Sequence, residues 1–358
     1  MCTVKIDTTK ADAFAEKLLG ILNAGSIAIM TSIGHRTGLF DVMSKMEAST
    51  SFEIAGEANL NERYVREWLN TMTSGGFFIY DPENSTYLLP AEHAAFLTRS
   101  ASPDNMAVFA QYIPLMGDVE DKILECFKNG GGVHYSEYKR FHQVMAEDSG
   151  QTVVAALFDH ILPLVNGVQE KMEDGISVLD IGCGRGKALI GMASKYPKSK
   201  FTGYDFSEEA ISFANNEAKE LGLDNINFIV KDMTNFDTEA NEQFDFITTF
   251  DAIHDQAKPA NVLKGIYKSL RNDGVYLMQD IAGSSEVHNN LDHPVAPLLY
   301  ALSTMHCMSV SLAQGGDGLG TMWGEETAVK MIKEAGFENI NVKKLSHDFQ
   351  NNFYVIRK

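Results

Sequence analysis

Gly182, Gly184 and Gly186 follow directly on the apolar run from Ile176 to Ile181, and a helix-compatible stretch from Lys187 to Tyr196 comes next. Strand, tight turn and helix in that order leave a backbone without Cβ atoms where a ligand must lie against it. The same glycines could also serve packing alone. A second apolar run, Phe201 to Tyr204, ends in Asp205. That acid stands about twenty residues beyond the turn, where a doubly wound fold places the carboxylate that takes ribose hydroxyls. Ser207, Glu208 and Glu209 then open a helix with a capping hydroxyl and acids in its first turn. Three more runs end in polar residues: Ile226 to Val230 before Lys231-Asp232-Met233, Phe244 to Phe250 before Asp251, and Gly274 to Gln279 before Asp280. Such a row of strand ends is the edge at which open α/β sheets bind ligands.

The ordered segments VLDIGCGRG, GYD, KDM, FDFITTFDAIHD and LRNDGVYLMQD resemble the motifs of class I S-adenosylmethionine-dependent methyltransferases over about residues 170 to 358. A dehydrogenase turn would normally read Gly-x-Gly-x-x-Gly, and this one reads Gly-x-Gly-x-Gly. The resemblance implies an α/β Rossmann-like sheet of seven strands, mostly parallel with an antiparallel last strand. It implies S-adenosyl-L-methionine as cofactor, with the glycine turn facing the methionine part, Asp205 the ribose, and Asp232-Met233 the adenine. Its cofactor-binding positions would be Asp180, Gly182, Gly184, Gly186, Asp205, Phe206, Asp232, Met233, Phe250 and Asp251.

Methyl transfer from a sulfonium is an in-line displacement with a neutral leaving group, so it needs mostly alignment of nucleophile and methyl. A hydroxyl or thiol must also lose a proton, and histidine is suited to taking it near pH 7. His254 sits four residues past the fourth strand, beyond Asp251. The His254-Asp255 pair resembles the His-Asp of methyltransferases acting on phenolic hydroxyls, where that histidine is the base. The resemblance makes Asp280 and Glu326 the carboxylates that orient it. Gln256 stands where that family usually has Trp, which leaves the substrate's shape and nucleophile open. The plain alternative is a histidine that caps the strand–helix loop.

The elements that must position these residues begin with an acidic chain of 358 residues, net charge −18 and 44% hydrophobic, long enough for two domains and a sizeable core. That acidity argues against a protein that tracks phosphates. Cys2, Cys126, Cys183 and Cys307 are scattered without a C-x-x-C, which suits a reduced, cytoplasmic setting. The N-terminus lacks the apolar core of a secretion signal, and no run of about 18 uninterrupted apolar residues suggests a membrane span. Residues 10 to 48 read as helices, with Gly25 to Ile33 apolar enough to be buried, against a second subunit in the favoured reading of a homodimer.

Residues 50 to 98 read as helix, turn, helix and hairpin: Ser51 capping a helix through Ala58, Asn61 capping Glu62 to Ser74, then strands either side of Asp81-Pro82-Glu83-Asn84. Within them NERYVREWLNTMTSGGFFIYDPENSTYLLPAEHAAFL also resembles the N-terminal winged helix of many small-molecule methyltransferases. Arg63 and Arg66 are balanced by Glu62 and Glu67, and residues 1 to 100 hold eight Lys/Arg against twelve Asp/Glu. A module that closes a dimer and a substrate pocket therefore fits better than one that binds nucleic acid. A cofactor-sensing, DNA-binding regulator is the competing function of a different class.

The expected organisation is residues 1–100 for dimerisation, 101–170 as helical connector and pocket region, and 171–358 for the cofactor. Tyr135, Tyr138, Phe141, His142 and His160 could line the pocket or simply form core. Residues 283–324, rich in Met, His and Gly, read as a lid inserted over the cofactor edge. His288, His293, His306 and Cys307 lack a recognised metal-ligand spacing, so no metal is expected. The expected partner is a small-molecule methyl acceptor.

Overall fold

The computed structural model describes residues 6–358, so Cys2 and the first five residues lie outside it. The chain divides into two compact units, Met1–Leu115 and Met116–Lys358.

The first unit opens with the long helix Thr8–Thr37, whose first turn is capped by Asp7 and whose end is Gly38 at φ 75°. A second, short helix, Leu39–Met43, follows at once. Helix Ser51–Glu57 is capped by Thr50, not by Ser51. Glu53 reaches back to the Thr50 amide at 2.8 Å, which completes a capping box that a Ser51 cap would lack. Asn61 caps Glu62–Ser74 as expected. Strands β1 (Ser49–Thr50), β2 (Ile79–Asp81) and β3 (Thr86–Leu88) pair antiparallel in the order β1-β3-β2, which makes the wing. Phe40, Trp68 and Phe78 form the centre of this unit, with ring centroids 5.2–6.3 Å apart. Arg63 and Arg66 of the second wing helix are both ion-paired, with Glu67 and Glu62 of the same helix.

The second unit is a seven-stranded sheet built from β4 (Ser177–Ile181), β5 (Lys200–Asp205), β6 (Ile226–Val230), β7 (Phe244–Phe250), β8 (Leu270–Ile281), β9 (Asn339–Leu345) and β10 (Asp348–Arg357). Its order is β6-β5-β4-β7-β8-β10-β9. The first five pair in parallel and β10 lies antiparallel between β8 and β9. The chain leaves β4 toward β5 on one side and later returns to β7 on the other. The gap beyond the carboxyl ends of β4 and β7 is therefore the topological switch point where such sheets take ligands. Near-continuous apolar runs such as VLDI and FITTF mark strands covered on both faces, as parallel sheets require. The two cores lie on opposite faces, one holding Leu189, Met192, Phe201 and Phe246, the other Ile247, Leu263, Ile266 and Tyr276.

Two helical stretches, Thr8–Thr37 and Ala296–Ala313, are long and apolar enough to cross a membrane by length and mean composition, although neither is an uninterrupted apolar run. Scattered polar residues break such a run without lowering the mean hydropathy much. Ala296–Ala313 is part of the sheet-bearing unit. It comprises Ala296–Leu302, a π-helical turn Ser303–Cys307, and Met308–Ala313. Against it lies Gly132: a Cβ there would stand 1.8 Å from the Ser309 carbonyl oxygen, so only glycine permits this approach. The Val133 amide donates to Ser309 Oγ at 2.8 Å and locks the contact.

Candidate active site

The glycine turn takes the shape that its residue types demand. Gly182, Gly184 and Gly186 have φ of 71°, 52° and 71°, in the left-handed region. A Cβ on Gly182 would meet that of Ala252 at 2.4 Å, so the loops after β4 and β7 pack directly together. A Cβ on Gly184 would meet nothing within 4 Å, so this backbone faces open space.

Four acids stand in or just beyond β4, β5 and β7, the strands that end at this turn or beside it. Asp205, at the end of β5, is buried and accepts from the Gly184 amide (2.9 Å) and the Ser207 amide (2.9 Å). The two carboxylate oxygens together have about four lone-pair sites, so these bonds leave room for a ligand's hydroxyls. Burial pushes its pKa up against those bonds and against nearby His142. Asp180 is buried in β4, accepts from Thr248 Oγ1 at 2.7 Å, and is pushed by burial to about 7. Asp251, at φ 51°, holds one oxygen to Gln279 Nε2 (2.9 Å) and leaves the other without a partner among the described residues. Burial, and then the Asp280 charge, raise its pKa well above the carboxylate range. A non-glycine residue at positive φ, with an orphaned carboxylate oxygen, marks a strand end held in strain. Asp255 is raised by burial to about 7.

Such desolvated acids fit a ligand that carries positive charge and hydroxyl donors, and S-adenosylmethionine has a sulfonium, an ammonium and two ribose hydroxyls. Met233 is buried beside this edge, while Asp232 is exposed and accepts from the Thr234 amide at 2.8 Å. Phe206 is 38% exposed and meets Tyr135 edge-on at 4.8 Å. Phe250 is partly buried against the core.

His254 is buried, and its Nδ1 lies 2.8 Å from Asp280 Oδ1. Burial alone would push its pKa down. The Asp280 charge and the contact with Cys307 overcome that and hold it well above the ordinary imidazole value. Asp280 Oδ1 also accepts from Trp323 Nε1 (3.0 Å) and from the Ile281 amide (2.9 Å), which fixes the carboxylate. Glu326, expected to share in orienting the histidine, has other partners. It accepts from Ser284 Oγ (2.7 Å) and the Ser285 amide (2.9 Å) and lines a separate polar cavity of about 500 Å³. Trp323, at the N-cap of helix Gly324–Glu334, stands where that carboxylate was expected. Its signal in the sequence was slight: one of the chain's two tryptophans, three residues before Glu326.

An aromatic cluster joins this pair to the cofactor edge. His306 stacks on Phe141 (centroids 3.6 Å apart, planes 9°) and meets Tyr138 at 4.7 Å and Tyr135 at 5.3 Å. Tyr135 in turn stacks on His142 at 5.0 Å. His160, grouped with these aromatics from sequence, pairs instead with His347 at 4.5 Å. Among the described residues no group of three or more His, Cys, Asp or Glu side chains could hold a metal ion.

Comparisons with known proteins bear on the fold that carries these residues. Residues 25–99 match the Rv2258c-like winged HTH domain and residues 172–344 match a methyltransferase domain. The (S)-coclaurine N-methyltransferase of Papaver somniferum is 33% identical over 111 residues, 31% of this chain and 31% of that protein. The chain spans about a third of the length of the first such relatives it matches. Two solved structures share the fold. One, from Nostoc punctiforme PCC 73102 and assigned to the O-methyltransferases, aligns with TM-score 0.72 at 19% identity over 96% of this chain and 98% of that one. Human N-acetylserotonin methyltransferase with its bound SAM aligns with TM-score 0.68 at 14% identity over 100% and 99%.

Proposed function

We propose that this chain, a winged-helix domain joined to a class I methyltransferase domain, transfers a methyl group from S-adenosylmethionine to a hydroxyl or thiol of a small-molecule acceptor. The observation that carries the proposal is the Asp280–His254 pair, buried just past the strand end that packs on the glycine turn. When bound, the cofactor supplies an electrophilic methyl on a sulfonium.

The chain's own residues do the rest. Gly184, whose Cβ position is open, gives the cofactor's methionine part a close backbone, while Gly182 and Gly186 let the turn pack on Ala252 and Phe228. Asp205 accepts from its ribose, and Asp180 and Asp251 face its positive charge. Phe206, Met233 and Phe250 provide apolar contact, with Asp232 at the adenine end. Asp280, held by Trp323, fixes the tautomer of His254 so that Nε2 is the basic nitrogen once the ring is neutral. Nε2 then takes the acceptor's proton as the acceptor is aligned with the methyl. A cation beside His254 favours its neutral form, so a filled cofactor site prepares the base. The segment 283–324 covers the acceptor and excludes water.

The protein is read as a homodimer in the cytoplasm. Helix Thr8–Thr37 exposes Phe14, Leu19 and Leu22 at 60–68%, and a second copy would cover this apolar face better than water does. Cys126, Cys183 and Cys307 are free thiols, which suits a reducing compartment. The paired arginines of the wing helix argue against nucleic acid as partner, and no membrane partner is proposed.

The test is turnover of S-adenosylmethionine by the purified protein against matched phenols, thiols and amines. Formation of S-adenosylhomocysteine with a phenol or thiol supports the reading. Turnover with amines alone, or with nothing, removes it.

A further inference from the structure

His306 is 1% exposed, and neither ring nitrogen has a hydrogen-bond partner among the described residues. A buried imidazole always carries at least one N–H, and its neutral form also carries one lone pair, so two polar functions are left desolvated. Each such group destabilises the fold, because it regains in the protein none of the hydrogen bonding it gave up to water. Packing alone does not ask for this: the imidazole stacks flat on Phe141 at 3.6 Å, a contact that needs a planar ring and no nitrogen. The ring is carried on the π-helical turn Ser303–Cys307, and such turns are frequent at functional sites.

Its surroundings locate it. On one side, the next residue, Cys307, contacts His254, and His306 itself feels the His254 charge. On the other side, Tyr135 leads to His142 and Phe206, which border Asp205. His306 thus stands beside the base and in the aromatic cluster that reaches the cofactor edge, where an acceptor aligned with the methyl must lie. Burial, with the His254 and His142 charges, pushes its pKa well below the usual imidazole value. It therefore presents one donor and one acceptor, and no charge, at neutral pH.

We propose that His306 is a specificity residue that hydrogen-bonds a second, uncharged polar substituent of the methyl acceptor, so that the preferred acceptor is an aromatic ring bearing two hydroxyl or carbonyl groups. This rests on the methyltransferase reading for the word acceptor, but its test does not need turnover.

The test uses the full-length protein saturated with S-adenosylhomocysteine and four probes: phenol, catechol, resorcinol and hydroquinone. Calorimetric titration of the wild type should show at least one dihydroxybenzene binding about tenfold more tightly than phenol, the worth of one well-placed hydrogen bond in a dry site. His306→Phe should bind that probe and phenol alike, with S-adenosylhomocysteine affinity unchanged. The same variant should melt at a higher temperature than the wild type when ligand-free, because a desolvated orphan has been replaced by an apolar ring of similar shape. A histidine held only for structure would give the opposite, a lower melting temperature with the probe preference intact, and that result overturns the proposal. So does a wild type that does not distinguish phenol from any of the three diols. A wild type that shows the preference but methylates none of the probes or other acceptors would keep His306 as a ligand-reading residue and remove the transferase reading instead.

Discussion

The cofactor edge and the acceptor side of the site are neighbours made in different ways. The cofactor edge uses the ends of adjacent strands, Ile181 into the glycine turn, Asp205 closing β5, Asp251 just past β7. Each residue is placed by the strand that precedes it. The acceptor side draws Tyr135 and Phe141 from one segment, His254 from another, and His306 and Trp323 from a third, far apart in the chain. A site on strand ends is held by backbone ladders and tolerates changes of side chain around it. A site assembled from separate helices depends on side-chain packing and can change its ligand while the sheet stays the same.

That contrast can be broken or sharpened by mutation. The largest effect is expected at His254. His254→Ala should lower turnover by about 10²–10⁴-fold with the best acceptor, while calorimetry shows S-adenosylhomocysteine binding unchanged. The loss should shrink as pH rises, and sooner for a thiol than for a phenol. Full turnover at pH 7 would make His254 a loop cap and leave alignment as the whole of catalysis.

Asp205→Ala should act on the other half only. Loss of hydrogen bonds to a charged acceptor predicts about 10–100-fold weaker cofactor binding, and unchanged affinity would remove the ribose assignment.

Asp180→Asn separates stability from binding. The folded pKa of Asp180, about 7, lies above its unfolded value, so its contribution to stability is complete below about pH 4 and is lost as pH rises through 7. The ligand-free variant should therefore melt higher than the wild type at pH 8, and by less at pH 5, while binding the cofactor more weakly. An equal change at both pH values would show that the carboxyl is not the titrating cause.

Trp323→Phe removes one donor from Asp280 and leaves the His254 contact. The carboxylate then attracts the imidazolium proton more strongly. The rise of turnover with pH, already expected on the alkaline side because His254 is held above its ordinary value, should move further up, with a loss of only a few-fold at the plateau. A pH–rate profile that does not move would sever the indole from the base. The smallest effect belongs to Glu326→Gln. Its bonds to Ser284 and Ser285 lie outside the His254 pair, so turnover should stay within about threefold, and a tenfold fall would return it to the orienting role.

The sequence by itself determined the doubly wound sheet, the strand-end acids and the winged helix. Each is announced by local signals: apolar runs of strand length, alternate glycines, an Asn cap, a Pro-Glu-Asn turn. These signals survive reading one residue at a time because backbone geometry depends on neighbours in the chain. Thr50 rather than Ser51 as the cap is an error of one residue, settled by where Glu53 can reach back. The tertiary structure alone decided which polar group meets Asp280. Trp323 at the N-cap reaches Asp280, while Glu326, one turn on, is held by Ser284 and Ser285 of the loop after β8. A helix puts two such positions on nearly the same face, so only the long-range partners separate them. It also separated His160 from the aromatic cluster and brought His306, more than 160 positions from Phe141, into contact with it. Whether a buried nitrogen finds a partner is fixed by the sum of those long-range contacts, which is why the orphaned His306 shows only in three dimensions.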